Sequence, residues 1–345
     1  MTKLVIFNLR TDPDSPVLGA SIDWIVEFRN HFTVTDVVST HVGTITNLHG
    51  VRTLEIGGGS LRARLKALIR LFKFALKLIP KRTEYVVFHH MSPRTAVFPG
   101  TLFKMFGIPQ ALWYSHSSRP RSLTLAERTV DWIFSSEKNS LPFDTPKARF
   151  VGHGISLKRF GTVDSNSHRE NAILFIGRIS RIKNLSYLID EVASLDREFP
   201  LILIGPHPDF EYVRELRAQA SERNVQMVIS DSISYDNVHD VMKKYKYFYS
   251  GMKNSVDKSA LEASISGCLV LTTDVGTQEL SGMKRAWQTI TPTAIAEVRN
   301  QIKALESLSR KELDDFREIV RREAMLQNSL EKTISQISLI MKVSK

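Results

Sequence analysis

Cysteine is nearly absent from this chain: Cys268 is the single one in 345 residues, so no intramolecular disulfide can form. Its place between Gly267 and Leu269 predicts a small packed residue rather than a nucleophile, and a reducing compartment fits. Long apolar runs are missing as well. No uninterrupted apolar stretch approaches bilayer-spanning length, and the run after Met1 is far too short for a signal peptide, so a cytoplasmic location is expected. There is no internal repeat at motif level and no low-complexity tract. His89 and His90 come without the spaced Cys, His or carboxylate set of a zinc site. Asp12, Pro13 and Asp14 spell Asp-x-Asp, but a proline in a polar turn directly after a strand reads as turn chemistry, so no metal is expected. The basic residues lack the interleaved aromatics and modules of a nucleic-acid binder, which removes nucleic acid from the expected partners.

What the chain does have is positive charge. The net charge of +11 asks for an anionic partner. Its densest source is residues 60–79, where Arg62, Lys66, Arg70, Lys73 and Lys77 recur at helical spacing without an acidic residue. They form one narrow stripe, and Leu, Ile and Phe cover most of the remaining circumference. Such a helix fits an anionic membrane surface, with cations on headgroups and apolar side chains among acyl tails. It equally fits a domain helix whose apolar side lies on a sheet and whose basic stripe lies in water. The expectation adopted is partial burial with a basic, membrane-facing rim.

The apolar pattern predicts an α/β protein of two domains. Short strands are expected at Leu4–Phe7, Val34–Val38, Val51–Ile56, Tyr85–Phe88, Ala111–Tyr114, Trp132–Phe134 and Arg149–Val151, alternating with helical segments as in a parallel sheet. A second series begins at Ile173. Residues 158–171 are polar and without apolar period, which makes them the linker between a first domain at 1–157 and a second at 172–325. The stretch from about Ser309 to Lys345 has a helical pattern, and 326–345 is expected to be a terminal helix.

Two segments carry chemistry. Ile173 to Ile176 read as a buried strand, Gly177 permits a tight turn, and Asn184 opens a helix with Leu185, Leu188, Ile189 and Val192 on its apolar face. Arg178 and Lys183 are thereby held past the end of a strand and near a helix start, where open α/β sheets bind anions. A guanidinium forks to phosphate oxygens and an ammonium adds a point charge. Solvated loop cations would have the same look. Eighty residues on, Ala260, Leu261, Ala263 and Ile265 form an apolar helix surface, Gly267 ends it, and Leu269 to Leu271 make a strand. Glu262 sits inside that helix. Burying its carboxylate calls for hydrogen-bond donors, which two ribose hydroxyls or a structural salt bridge would both provide.

In their order and separation, the segments around Arg178 to Asn184 and Ala260 to Val270 resemble the carboxy-terminal domain of the family-four retaining glycosyltransferases of GT-B fold, the glycosyl transferases of group 1. The resemblance runs from roughly residue 110 to the end and is weaker over the amino-terminal third. It implies two Rossmann-like domains facing across a cleft, the first binding the acceptor, the second the nucleotide sugar, and a terminal helix that returns to the first domain. In that family the Gly-Arg and the following Lys grip the donor diphosphate and the Glu binds the ribose. These roles fall on Arg178, Lys183 and Glu262. Asn254 stands where the family usually has a second Glu near the donor sugar, and an amide there carries no charge to offset a developing cation. Ser255 to Lys258 resemble a Ser-(Leu/Val)-Asp-Lys seen in some members, so Asn254, Ser255 and Lys258 are expected to border the sugar and phosphates. Trp113 to His116 resemble a Trp-Tyr-Ala-His, which assigns His116 to the transferred sugar or the acceptor proton. A satisfied loop histidine is the plain alternative. Gly152 to Ile155 resemble the hinge entry, with His153 either lining the cleft or holding the hinge.

These implications together describe a retaining, metal-independent transferase with no cofactor beyond its UDP- or GDP-linked donor. The acceptor would be a glycan or a lipid-linked molecule, as in cell-surface polysaccharide or glycolipid synthesis. A non-catalytic nucleotide-sugar scaffold, an epimerase and a phosphorylase of similar fold are the alternatives.

Overall fold

A computed structural model describes residues 2–15, 18–44, 48–57, 60–162, 168–253, 256–291 and 296–343. The chain divides into two compact units, one made of Met1–Gly154 with Leu330–Lys345 and the other of Ile155–Ser329.

The first unit is built on a parallel sheet of β1 (Lys3–Thr11), β2 (Thr33–Val42), β3 (Arg52–Glu55), β4 (Tyr85–His90), β5 (Gln110–Trp113), β6 (Trp132–Ser135) and β7 (Ala148–Phe150), in the order β3-β2-β1-β4-β5-β6-β7. Side chains alternate along each strand, so β1 sends Leu4 and Ile6 to one face and Val5 and Phe7 to the other. The first face packs on Trp24, Ile25 and Phe28 of the Ser21–Phe28 helix and on Ile334, Ile337 and Met341 of the Leu330–Val343 helix. The second face packs on Leu71, Ala75 and Leu78 of the Leu61–Leu78 helix, together with Phe103. With both faces covered, the strands are nearly continuous apolar runs, which is why they were readable from sequence.

The second unit holds β8 (Glu170–Ile176), β9 (Leu201–Ile204), β10 (Met227–Ser230), β11 (Tyr245–Tyr249) and β12 (Leu269–Leu271), all parallel, in the order β10-β9-β8-β11-β12. Both sheets are wound in two directions. The order reverses between β1 and β4 in the first and between β8 and β11 in the second, and at such a reversal the outgoing loops part and leave a crevice.

The expected linker at 158–171 is corrected at both ends. Leu157–Phe160 is a short helix whose Phe160 is buried against the rings of Tyr235 and His239, each 5.7 Å away, and β8 already starts at Glu170. Residues 163–167 lie outside the described residues. The terminal pattern is two helices rather than one: Arg310–Asn328 ends at Ser329, which has extended backbone, and Leu330–Val343 follows. The second belongs to the first unit, so the boundary falls at Ser329 instead of 325.

Candidate functional site

The loop leaving β8 stands at the β8/β11 reversal, where parallel sheets open a crevice. Ile179 is fully buried and its N–H donates to the Pro206 carbonyl at 2.9 Å, which fixes the loop and leaves Arg178 on its exposed side. Arg181 is spoken for: its guanidinium forks to both Glu215 oxygens at 2.7 and 2.8 Å and lies over the Tyr212 ring at 4.9 Å. The Arg178 side chain makes no hydrogen bond or ion pair to a described residue. Of the two guanidiniums in this loop, Arg178 is therefore the one able to meet a ligand without breaking a bond to a described residue.

Arg181–Lys183 form a single 3-10 turn, and Asn184 follows with φ of 51° at the start of the Leu185–Ala193 helix. Asn184 does stand at the N-cap, but its side chain makes no capping bond. The left-handed turn there carries the chain into the helix. Lys183 is directed inward, where its Nζ lies 2.5 Å from Asp257 Oδ1, with about a seventh of each side chain exposed. Asp257 is the N-cap residue of the Lys258–Ile265 helix, yet it makes no side-chain cap. Its carboxylate is held by Lys183 and by the Ser250 hydroxyl at 3.4 Å. Two glycines bring these loops into contact. A Cβ on Gly205 would lie 2.0 Å from the Gly177 carbonyl oxygen, and one on Gly251 would lie 2.1 Å from that of Lys183.

Glu262, one helical turn beyond Lys258, is buried. Its Oε1 accepts from the Tyr235 hydroxyl at 2.7 Å and from Lys258 Nζ at 2.9 Å. Lys258 Nζ also donates to the Tyr235 oxygen at 3.0 Å. Two cations approach the Tyr235 ring, Lys258 at 4.9 Å and Arg159 at 5.0 Å, and Arg159 pairs with Asp236. The structural salt bridge that sequence left open for Glu262 is thus present, on one of its two oxygens. Asp257 and Lys258 are adjacent, so the Lys183 pair and the Glu262 pair are joined through one peptide unit. Asn254 and Ser255 lie outside the described residues.

Sequence reasoning placed Tyr235 only within a loop, Asp231 to Asn237, that could meet the base, and found neither its bond to Glu262 nor the pairing role of Asp257. The i,i+4 spacing of Lys258 and Glu262 was visible in the chain. Nothing local marks Tyr235, which arrives from the Tyr235–Met242 helix and is a sequence distance of 27 from Glu262.

His116 belongs to the first unit, just beyond β5, and is exposed. Its backbone N–H donates to the Ser140 carbonyl at 2.8 Å, and its ring Nδ1 accepts from the Ser118 backbone N–H at 2.9 Å. An Nδ1 that accepts puts the proton of the neutral ring on Nε2, which leaves Nε2–H outward as a donor. At the β1/β4 reversal of the same unit, His90 Nδ1 meets Asn8 Oδ1 at 3.1 Å. Asp12 takes the forked Arg10 guanidinium and the Asp14 N–H, the latter at 3.1 Å, as the turn reading expects; the Arg10 bond holds its carboxyl below the usual range. His153 is buried between Gly152 and Gly154, both with positive φ. Cys268 is buried, and burial pushes its thiol up to about 11, which makes it inert as a nucleophile.

Residues 170–307 match the family described as Glycosyl transferases group 1. No curated protein sequence matches the chain. Among solved structures, Anabaena Alr3699/HepE in complex with UDP-glucose aligns with a TM-score of 0.72 at 14% identity, covering 99% of this chain and 100% of that one. An alpha-glucosyltransferase in complex with UDP-glucose and DNA containing an abasic site aligns at 0.68 and 16%, covering 98% and 99%. The apo lipopolysaccharide outer core galactosyltransferase WaaB aligns at 0.64 and 12%, covering 99% and 100%. At these identities the likeness is one of fold.

Proposed function

We propose that this chain, whose fold is that of the GT-B glycosyltransferases and whose second unit carries the group 1 match, is a retaining, metal-independent glycosyltransferase. It moves a sugar from a nucleotide-diphosphate donor to a glycan or lipid-linked acceptor. The observation that carries the reading is the loop geometry at the β8/β11 reversal: a guanidinium at Arg178 with no bond to a described residue, followed within the same loop by Lys183 on Asp257, and Lys258 with Glu262 beginning at the next residue.

In this reading Arg178 and Lys183 oppose the charge that builds on the leaving diphosphate, the task a divalent cation performs elsewhere. Lys183 exchanges Asp257 for phosphate oxygens when the donor binds. Glu262 keeps Oε1 on Tyr235 and Lys258 and offers Oε2 to the ribose hydroxyls. Lys258, and with it Asn254 and Ser255, borders the phosphates and sugar. His116 supplies its Nε2–H to the transferred sugar or relays the acceptor proton. Retention follows from attack on the face the leaving group vacates, within an ion pair. The UDP and UDP-glucose complexes of the structural relatives favour a uridine donor over a guanosine one.

Incubation of the chain with UDP- and GDP-sugars, with and without acceptor glycans, tests this directly. Wild type should release nucleoside diphosphate and form a product whose anomeric configuration matches the donor, in the presence of a chelator, and Arg178→Ala should lose that turnover. Donor interconversion without acceptor would make the protein an epimerase, and a requirement for phosphate a phosphorylase. Donor binding without turnover would leave a scaffold.

A further inference from the structure

The Leu61–Leu78 helix has three faces where an ordinary domain helix has two. Ser60 caps it, its hydroxyl accepting from Ala63 N–H at 3.2 Å. Leu71, Ala75 and Leu78 are buried in the core cluster with Val5, Phe7 and Val87, and Phe74 packs against that cluster. At about 100° per residue these form one stripe. A second apolar stripe, of Leu65, Leu68, Ile69, Phe72 and Leu76, spans about 100° of arc on the outer side. Each of these five large side chains is 43 to 58% exposed. Between the two stripes, along one edge, run Arg62, Lys66, Arg70, Lys73 and Lys77, all exposed. No acidic residue occurs from Ser60 to Thr83, and none of the five cations forms a salt bridge with a described residue.

The buried stripe alone is enough to seat the helix on the sheet. The five outward apolar side chains are then not needed to seat it, and of the five cations only Arg70 bonds another described element, donating to the Glu55 carbonyl at 3.4 Å. Exposed apolar surface of this extent marks an interaction face. Met105 and Phe106 extend it in kind: both are exposed, on the stretch just after Phe103, which packs in the same cluster as Leu71 and Ala75. The charge decides what covers this face. A second copy would bring like charge against like charge. An anionic bilayer instead takes apolar side chains into its acyl boundary while the cations beside them meet the headgroups.

We propose that the outer face of the Leu61–Leu78 helix docks the first unit on an anionic membrane surface, with Leu65, Leu68, Ile69, Phe72 and Leu76 inserted and Arg62, Lys66, Arg70, Lys73 and Lys77 at headgroup level. The helix lies in the interface plane. No helix among the described residues is long and apolar enough to cross a membrane. The sequence favours partial burial with a basic, membrane-facing rim. The structure buries one apolar stripe on the sheet and leaves the other exposed.

Co-flotation of the full chain with vesicles of phosphatidylcholine, alone or with about one-third phosphatidylglycerol, tests the proposal. The expected result is binding to the anionic vesicles at low salt, at least about tenfold weaker on the neutral ones and weakened again by added salt. Leu68→Ser with Phe72→Ser, and separately Lys66→Glu with Lys73→Glu, should each lower anionic binding by at least about tenfold, with circular dichroism unchanged. If the serine pair disturbs the fold, the charge pair decides. Absence of binding, equal binding to neutral vesicles, or variants that bind like wild type would overturn the proposal. So would sedimentation showing a dimer that the variants dissociate while vesicles are ignored. The vesicle measurement needs no donor, so its failure is distinct from failure of the catalytic reading.

Discussion

Lys183 and Asp257 form an ion pair at 2.5 Å across a sequence separation of 74. The pair holds the loop after β8 against the start of the helix that carries Glu262. In the proposed reaction the same ammonium neutralises the leaving diphosphate, so it has one partner at rest and another at work. Lys183→Ala should lower kcat/KM by about 10²- to 10³-fold, the usual cost of removing one donor to transition-state charge. Asp257→Asn keeps the shape and removes the resting partner. It should raise the donor KM more than it lowers kcat, because the lysine is present but no longer held. Steady-state kinetics on both variants separate a chemical from a positioning role, and equal loss of kcat in the two would refute the distinction.

Tyr235 grips Glu262 through its hydroxyl while its ring is approached by Arg159 and Lys258. Tyr235→Phe keeps the ring contacts and deletes the hydrogen bond to a buried carboxylate together with the one accepted from Lys258. A stability loss of roughly 1–3 kcal/mol is expected, with a several-fold rise in donor KM. Chemical denaturation together with donor titration checks both. A variant that loses stability but binds donor as wild type does would mean that Glu262 serves only the fold.

Gly205 leaves β9 where the Gly177 carbonyl oxygen crosses it, and an added methyl carbon would lie 2.0 Å from that oxygen. The obstacle is backbone, so no side chain can swing away. Gly205→Ala should destabilise by about 1–3 kcal/mol through forced displacement of the loop that presents Arg178. A lowered denaturation midpoint with weakened diphosphate binding is the expected signature.

Burial pushes the His89 imidazole down from 6.5 to about 3, against the opposing hydrogen bond that its Nε2–H donates to Gln110 Oε1. The folded protein keeps this ring neutral across a range in which the unfolded chain takes up a proton. Stability from this group is therefore complete above about pH 6.5 and declines as pH falls toward 3, by at most about 1.4 kcal/mol per unit. Denaturant midpoints at about pH 7 and about pH 5.5 measure the slope. His89→Gln, which keeps a polar side chain beside Thr95 and Gln110, should flatten it. An unchanged slope would place the acid sensitivity elsewhere.

The strands were legible because both sheets are covered on two faces, which turns their sequences into short apolar runs such as Val86 to Phe88 and Ile173 to Phe175. Their ends were not: β1 and β2 continue to Thr11 and Val42 through mostly polar residues, since hydrogen bonding to a neighbouring strand needs no apolar side chain. The helix at 157–160 is too short to show a period, and only the burial of Phe160 reveals it. Arg178, Lys183 and Glu262 stood out as charges beside apolar runs. What they touch did not, because Asp257 and Tyr235 reach them from distant elements, and contact between distant elements is a property of topology that no local spacing encodes.

The helix Leu330–Val343 places Leu330, Ile334, Ile337 and Met341 among the best-covered side chains of the cluster around Trp24 and Phe88. The core laid down by the first third of the chain is therefore finished by its last fifteen or so residues, about three hundred positions later. During synthesis that core must wait, one face uncovered, until the ribosome has made the whole of the other unit. A stop codon near Ser329 would spare every residue proposed to meet the donor and yet leave the opposite unit prone to aggregate.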